Sequence, residues 1–176
     1  MEQRHPLSGL RVLEMGSRTT APYIGKLLTD AGADVLKLES PVGDPFRTWS
    51  ASGASIPDGE DAAWWRFLNA GKKSTTIDLE TDEDKDQFHN LVTETDLILD
   101  DHIPQDAQRL GITYEDIHIT SPSIVLASLT HFGTTGPWAN RPANDFILQA
   151  LTGATENRGI PGEEPAACGG ELGDFV

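Results

Sequence analysis

The chain has 176 residues and a mass of 19.1 kDa, room for one domain with a core of its own. Hydrophobic residues make up 38% and charged residues 23%, and no apolar run is long enough for a spanning helix, so no membrane partner is expected. With 28 acidic against 13 basic side chains, the net charge of -15 leaves no surplus cation for a phosphate backbone, and nucleic acid is not an expected partner.

Residues 1–6 carry no apolar segment ahead of a cleavage site, and the one cysteine, Cys168, cannot close an internal disulfide, so the chain reads as cytoplasmic. Residues 10–15 alternate apolar with other side chains and meet Gly16, as a strand ending in a turn does. Thr19 or Thr20 can cap the next helix, with Pro22 in its first turn, Ile24, Leu27 and Leu28 at helical spacing and Gly32 as its stop. Residues 34–39 are a second strand, and β, α, β within 30 residues predicts parallel pairing through a right-handed crossover. The stretch 40–59 is longer than ordinary connections, a length typical of functional or mobile loops. A helix is predicted over 61–69 and a strand over 74–79. A helix over 82–93 follows, with Thr81 as N-cap and carboxylates on its first turn. Residues 96–99 form a strand whose unbroken apolar run fits cover on both faces. Short helical turns near 106–110 and 114–119 precede a strand over 124–129. After the loop 133–144, residues 146–152 are helical and Gly153 stops them. The fold class is α/β, doubly wound, with a mainly parallel sheet, read as one domain over 1–176. Residues 169–176 rise toward an apolar segment and stop before it can pack, so a truncated chain is expected.

Several chemistries are argued against by their missing residues. The first turn has Gly16 but neither of the two further glycines of a dinucleotide fingerprint, and no phosphate-cradling Gly-x-x-x-x-Gly-Lys or Gly-x-Ser-x-Gly elbow occurs. Glu39 ends the second strand where a ribose-binding acid would sit, but is read as a solvated carboxylate. The five histidines lack paired spacing, Asp100-Asp-His102 is the one cluster worth naming, and no metal is expected. Cys168 has no sequence neighbour that would lower its pKa.

What remains is a series of short segments. They include Pro6-Leu-Ser-Gly-Leu-Arg-Val-Leu13, Ala21-Pro-Tyr, Gly32-Ala-Asp-Val-Leu-Lys-Leu-Glu39, Gly43-Asp-Pro, Gly71-Lys-Lys-Ser and Ile77-Asp-Leu. Further along come Arg109-Leu-Gly, Phe132-Gly-Thr-Thr-Gly-Pro137, Gln149-Ala-Leu-Thr-Gly153 and Gly173-Asp-Phe. In this order they resemble the family III CoA-transferases, which include formyl-CoA transferase, carnitine CoA-transferase and α-methylacyl-CoA racemase. The resemblance implies a Rossmann-like large domain that takes coenzyme A as acyl-CoA, a carboxylic acid acceptor and an intertwined homodimer. It makes this chain the amino-terminal portion of a polypeptide well over twice its length.

Carried over residue by residue, the family's reactive aspartate is Asp174. The residues around it in sequence allow a helix N-cap instead, and Glu171 is a neighbouring carboxylate. The CoA positions implied are Thr19, Thr20 and Ala21 in the first turn, Ser40, Lys72 and Lys73, Ile77, Asp101 and His102, and Arg109. Ser40 stands where formyl-CoA transferase has an arginine, and Asp101 and His102 replace a common Asn-Phe. Racemases have a histidine at the position of Asn144, which cannot take a proton, so transfer is favoured over racemisation; Asp145 is expected to cap the next helix. A non-catalytic acyl-CoA-binding half of a duplicated enzyme, or lyase or hydrolase chemistry on the same intermediate, stand as the other readings.

Overall fold

The apolar runs become five short parallel strands whose connections carry the helices. In chain order these are β1 (Arg11–Glu14), α1 (Thr20–Asp30), β2 (Asp34–Glu39), α2 (Ala63–Asn69), β3 (Lys73–Thr76), α3 (Asp82–Thr93), β4 (Leu97–Asp100), α4 (Pro104–Leu110), α5 (Tyr114–Thr120), β5 (Val125–Ser128) and α6 (Asp145–Leu151). Two 3-10 turns, Pro45–Arg47 and Leu172–Phe175, complete the list. The computed structural model describes residues 5–175, and the chain divides into two units, Met1–Asn140 and Arg141–Val176.

The first unit holds the whole sheet, in the order β3-β2-β1-β4-β5 with every pairing parallel. Successive side chains leave a strand on opposite faces, so Leu13 and Ile98 join one apolar layer with Phe88, Val92 and Ile117. Their neighbours Val12 and Leu99 join another with Ala21 and Val35. Full burial of each such side chain is worth about 1.5–3 kcal/mol. The doubly wound reading is thus correct, and the strand order reverses between β1 and β4. The crevice beyond the carboxyl ends of those two strands is where sheets of this kind take ligands.

Local chemistry explains the boundaries. Thr81 caps α3 by accepting the Asp84 N–H at 3.4 Å. β3 begins at Lys73 and ends at Thr76, short of the expected Leu79, because the Asp78 carboxylate accepts the Glu80 N–H and bends the chain. α4 begins two residues before the expected Asp106, at Pro104, whose fixed φ suits a first helical position. The long stretch after β2 is pinned by Arg47, which pairs with Glu39 at 2.7 Å and with Asp61 at 2.7 Å.

In the second unit Asn144 caps α6, its side-chain oxygen accepting the Ile147 N–H at 2.9 Å. Gln149 is wholly buried and its amide is fully used: it donates to Asp145 Oδ2 and the Cys168 carbonyl and accepts the Cys168 N–H.

Candidate functional site

Four charged residues lie beneath the first turn of the sheet. Glu14 ends β1 with no exposure, and its two oxygens are shared between two lysines. Lys37, on β2, places Nζ 3.1 Å from Glu14 Oε1 and 2.8 Å from Asp44 Oδ2, and donates to the Gly16 carbonyl at 2.8 Å. Lys72 Nζ sits 2.6 Å from Glu14 Oε2 and donates to the Pro22 carbonyl and Asn69 Oδ1. Burial opposes charge on Lys37, yet Glu14 and Asp44 outweigh it and its pKa is raised; at Lys72 burial wins and the pKa is lowered. A Cβ at Gly25 of α1 would collide with Glu14 Oε2, so helix and carboxylate approach only because that position is glycine. Glu14, Lys37 and Asp44 were not singled out from sequence. For Glu14 and Lys37 the signal was there, a charged residue between apolar neighbours in a strand; Asp44, between Gly43 and Pro45, lies outside the strands.

The turn above this group crosses the switch point. Asp101, just past β4, accepts the Ser17 N–H at 3.3 Å and the Arg18 N–H at 2.9 Å. Its burial pushes the carboxyl pKa up despite those donors. Gly16 again has no room for a Cβ, which would meet Ala21 and the Asp101 carboxylate. Thr19 and Ala21 are fully buried, Thr20 opens α1, and Thr19 Oγ1 has no hydrogen-bond partner among the described residues. From the same turn Arg18 reaches across to His131 Nδ1 at 2.8 Å. The structure therefore brings together Thr19, Ala21 and Asp101 of the expected contacts.

The remaining positions are dispersed. Ile77 belongs to the apolar core. Ser40 is exposed and donates to the Gly43 carbonyl, and Arg109 is exposed beside Glu80 and Asp106. Of the two adjacent lysines, Lys72 has its side chain 1% exposed and turned inward to Glu14, whereas Lys73 is 71% exposed and pairs with Asp34 at 2.8 Å. His102 lines a cleft of about 650 Å³ at the carboxyl ends of β4 and β5, flanked by α4 and α5. Its Nδ1 lies 2.6 Å from Asp100 Oδ1.

In the second unit, Asp174 sits within the 3-10 turn rather than ahead of a helix, and its N–H donates to the Glu171 carbonyl at 3.1 Å. The Gly173 N–H donates to the Asp145 carboxylate, and a Cβ there would strike the Asp145 carbonyl. Asp145 is therefore not the expected cap: Asn144 holds that role, and Asp145 ties α6 to the turn bearing Asp174. Glu171 adopts a φ of 56°, and burial first, then Asp174 and Asp145, raise its pKa. Among the described residues no group of three metal-ligating side chains occurs.

These features fall within a recognised family. The model of CoA-transferase family III matches residues 7–176, and the chain belongs to that family. It is 34% identical over 176 residues to a succinate–glutarate CoA-transferase of Agrobacterium fabrum, covering 98% of this chain and 44% of that protein. It is 35% identical over 175 residues to a succinyl-CoA–D-citramalate CoA-transferase of Chloroflexus aurantiacus, covering 97% and 42%. A crystal structure of a CaiB/BaiF family protein from Brucella suis matches with a TM-score of 0.86 at 35% identity, covering 98% of this chain and 46% of that one. The chain thus spans less than half the length of these relatives.

Proposed function

We propose that the full-length protein moves CoA from an acyl-CoA to a carboxylic acid, with Asp174 as the nucleophile. The observation that carries this reading is the turn at Asp174. The family match runs through it, and Gly173, closed against Asp145, fixes the backbone from which the carboxylate projects. Burial, with Asp174 and Asp145 nearby, raises the pKa of the neighbouring Glu171 above the usual glutamate value, which disfavours Glu171 as the ionised nucleophile.

The reaction then runs on a covalent intermediate. An Asp174 oxygen attacks the thioester carbonyl, the C–S bond breaks and CoA leaves as thiolate, giving an aspartyl anhydride. The thiolate attacks the aspartyl carbonyl, releasing the donor's acid and leaving an Asp174–CoA thioester. The acceptor carboxylate attacks the aspartyl carbonyl of that thioester, expelling the thiolate and forming a second anhydride; the thiolate then attacks the acceptor's acyl carbon, and the Asp174 carboxylate leaves free. Racemisation finds no support at Asn144, whose side chain is engaged as a helix cap. The proposal extends to an intertwined homodimer acting in the cytoplasm, on the resemblance and on the single cysteine.

Replacing Asp174 by Asn tests it, because the substitution removes the nucleophilic oxygen and nearly preserves shape. Transfer should fall by at least about a thousandfold, as when covalent catalysis is removed, while CoA binding measured by calorimetry stays. Retained transfer would return the chain to the acyl-CoA-binding reading.

A further inference from the structure

Gln149 stands in the apolar run of α6 and is wholly buried, although no step of the reaction above uses it. Burying an amide is unfavourable unless its donors and its acceptor find partners. Here they find them in two places. Nε2 donates to Asp145 Oδ2 at 2.7 Å and to the Cys168 carbonyl at 2.8 Å, and Oε1 accepts the Cys168 N–H at 2.9 Å. The amide fits in one orientation, because turning it over would set its oxygen against two acceptors and its NH2 group against a donor. The other Asp145 oxygen, Oδ1, accepts the Gly173 N–H, so each oxygen of that carboxylate takes a donor.

A chain of hydrogen bonds therefore runs from Gln149 through Asp145 to the residue before Asp174, all within the second unit. The same amide grips Cys168, six residues before Asp174, so the segment is held at both ends. Between the two anchors Glu171 has a φ of 56°, a conformation that a residue with a side chain keeps only where its surroundings impose it. Without the amide, Asp145 Oδ2 loses a donor and the carboxylate can turn away from Gly173, while Cys168 loses both of its bonds to the helix. Resting on Asp174 as the nucleophile, we propose that Gln149 is a positioning residue for the reaction: it fixes Asp145 and Cys168, and through them the turn from which the Asp174 carboxylate attacks. A misplacement of about 1 Å at a reacting group can cost about a hundredfold in rate.

The test is a single-turnover measurement on the full-length protein, held in excess over succinyl-CoA as the probe donor, following release of succinate as CoA passes to the enzyme. The limiting rate constant does not depend on the fraction of protein that is folded, and its dependence on enzyme concentration gives the affinity separately. Gln149→Met, which keeps the length and removes the amide, should lower the limiting rate by about a hundredfold and leave the half-saturating concentration unchanged. Gln149→Glu makes the clamp depend on a proton. Protonated, the introduced carboxyl can donate to Asp145 as the amide does; ionised, it faces that carboxylate with no donor. Burial and Asp145 both raise its pKa, so its rate relative to that of the unaltered protein should fall at least about tenfold as pH rises from about 5.5 to 8.5. An unchanged limiting rate in Gln149→Met, or a loss confined to affinity, overturns the inference. So does a pH-independent ratio for Gln149→Glu, which decides alone should the methionine variant not fold. Asp174→Asn, run alongside, separates the two readings: succinate release by that variant removes the nucleophile and this inference together, whereas a silent Asp174→Asn beside an unimpaired Gln149→Met removes this inference alone.

Discussion

The Lys72 ammonium lies 2.6 Å from Glu14 Oε2, with the two side chains 1% and 0% exposed, while Lys73, the next residue, is on the surface. Adjacent lysines therefore do different work. Lys72→Glu, which sets a second carboxylate against Glu14, should destabilise the full-length protein by about 3–5 kcal/mol, as breaking a buried ion pair does. Lys73→Glu should cost less than about 1 kcal/mol, as exposed pairs do. Urea unfolding of both variants checks this, and equal small losses would mean that Lys72 does not occupy the interior.

Gly25→Ala offers a second reading of the same group. In an ordinary helix the change stabilises by about 0.5–1 kcal/mol. Here the new methyl meets Glu14 Oε2, and Lys37 and Lys72 hold that oxygen in place. A loss of about 1–3 kcal/mol is expected instead, as for overpacking a filled core. A rise in the unfolding midpoint would show that the carboxylate moves freely.

Asp101→Asn should change the pH dependence of thermal stability. The carboxyl pKa of Asp101 is raised by burial, so the native state binds a proton more tightly than the unfolded chain. Its contribution is therefore most favourable below the ordinary aspartate range and is lost as pH rises through and above it. Asn keeps one acceptor where Asp101 uses both oxygens for the Ser17 and Arg18 N–H groups, a loss that does not vary with pH, and it removes the charge, whose cost does vary with pH. The variant's melting temperature relative to that of the unaltered protein should rise between about pH 4 and 7; a relative fall over that range would contradict the shift.

Sequence patterning made most of this architecture legible. Alternation at residues 10–15, the capping chemistry of Thr81 and the unbroken apolar run at 97–99 each depend on local periodicity, and β1, α3 and β4 appear where those signals lie. Burial of charge is not local. Whether Lys72 points to solvent or to Glu14, 58 residues earlier, depends on β1, β2 and α1 converging, which no spacing encodes. The same limit explains Asp145: its helix-opening position resembled a cap, but Asn144 is one residue better placed, and the Gly173 N–H that occupies Asp145 comes from 28 residues away. Gly173-Asp-Phe was legible only through the family resemblance, since a lone aspartate after glycine otherwise reads as a turn.

Proton exchange separates transfer from racemisation. With a 2-methylacyl-CoA in deuterated water, the full-length enzyme should incorporate no α-deuterium above the uncatalysed background, because Asn144 offers no base and its oxygen is engaged by the Ile147 N–H. Rapid incorporation at that carbon would contradict the assignment.

The most direct test traps the intermediate itself. Hydroxylamine added during turnover of the full-length enzyme with acyl-CoA and acceptor should convert an activated aspartyl group to its hydroxamate, and peptide mapping should then find the modification on Asp174. Glu171, three residues earlier, with its pKa raised by burial, should remain unmodified. A hydroxamate on Glu171 or on any other residue, or active enzyme that yields none, would contradict Asp174 as the nucleophile.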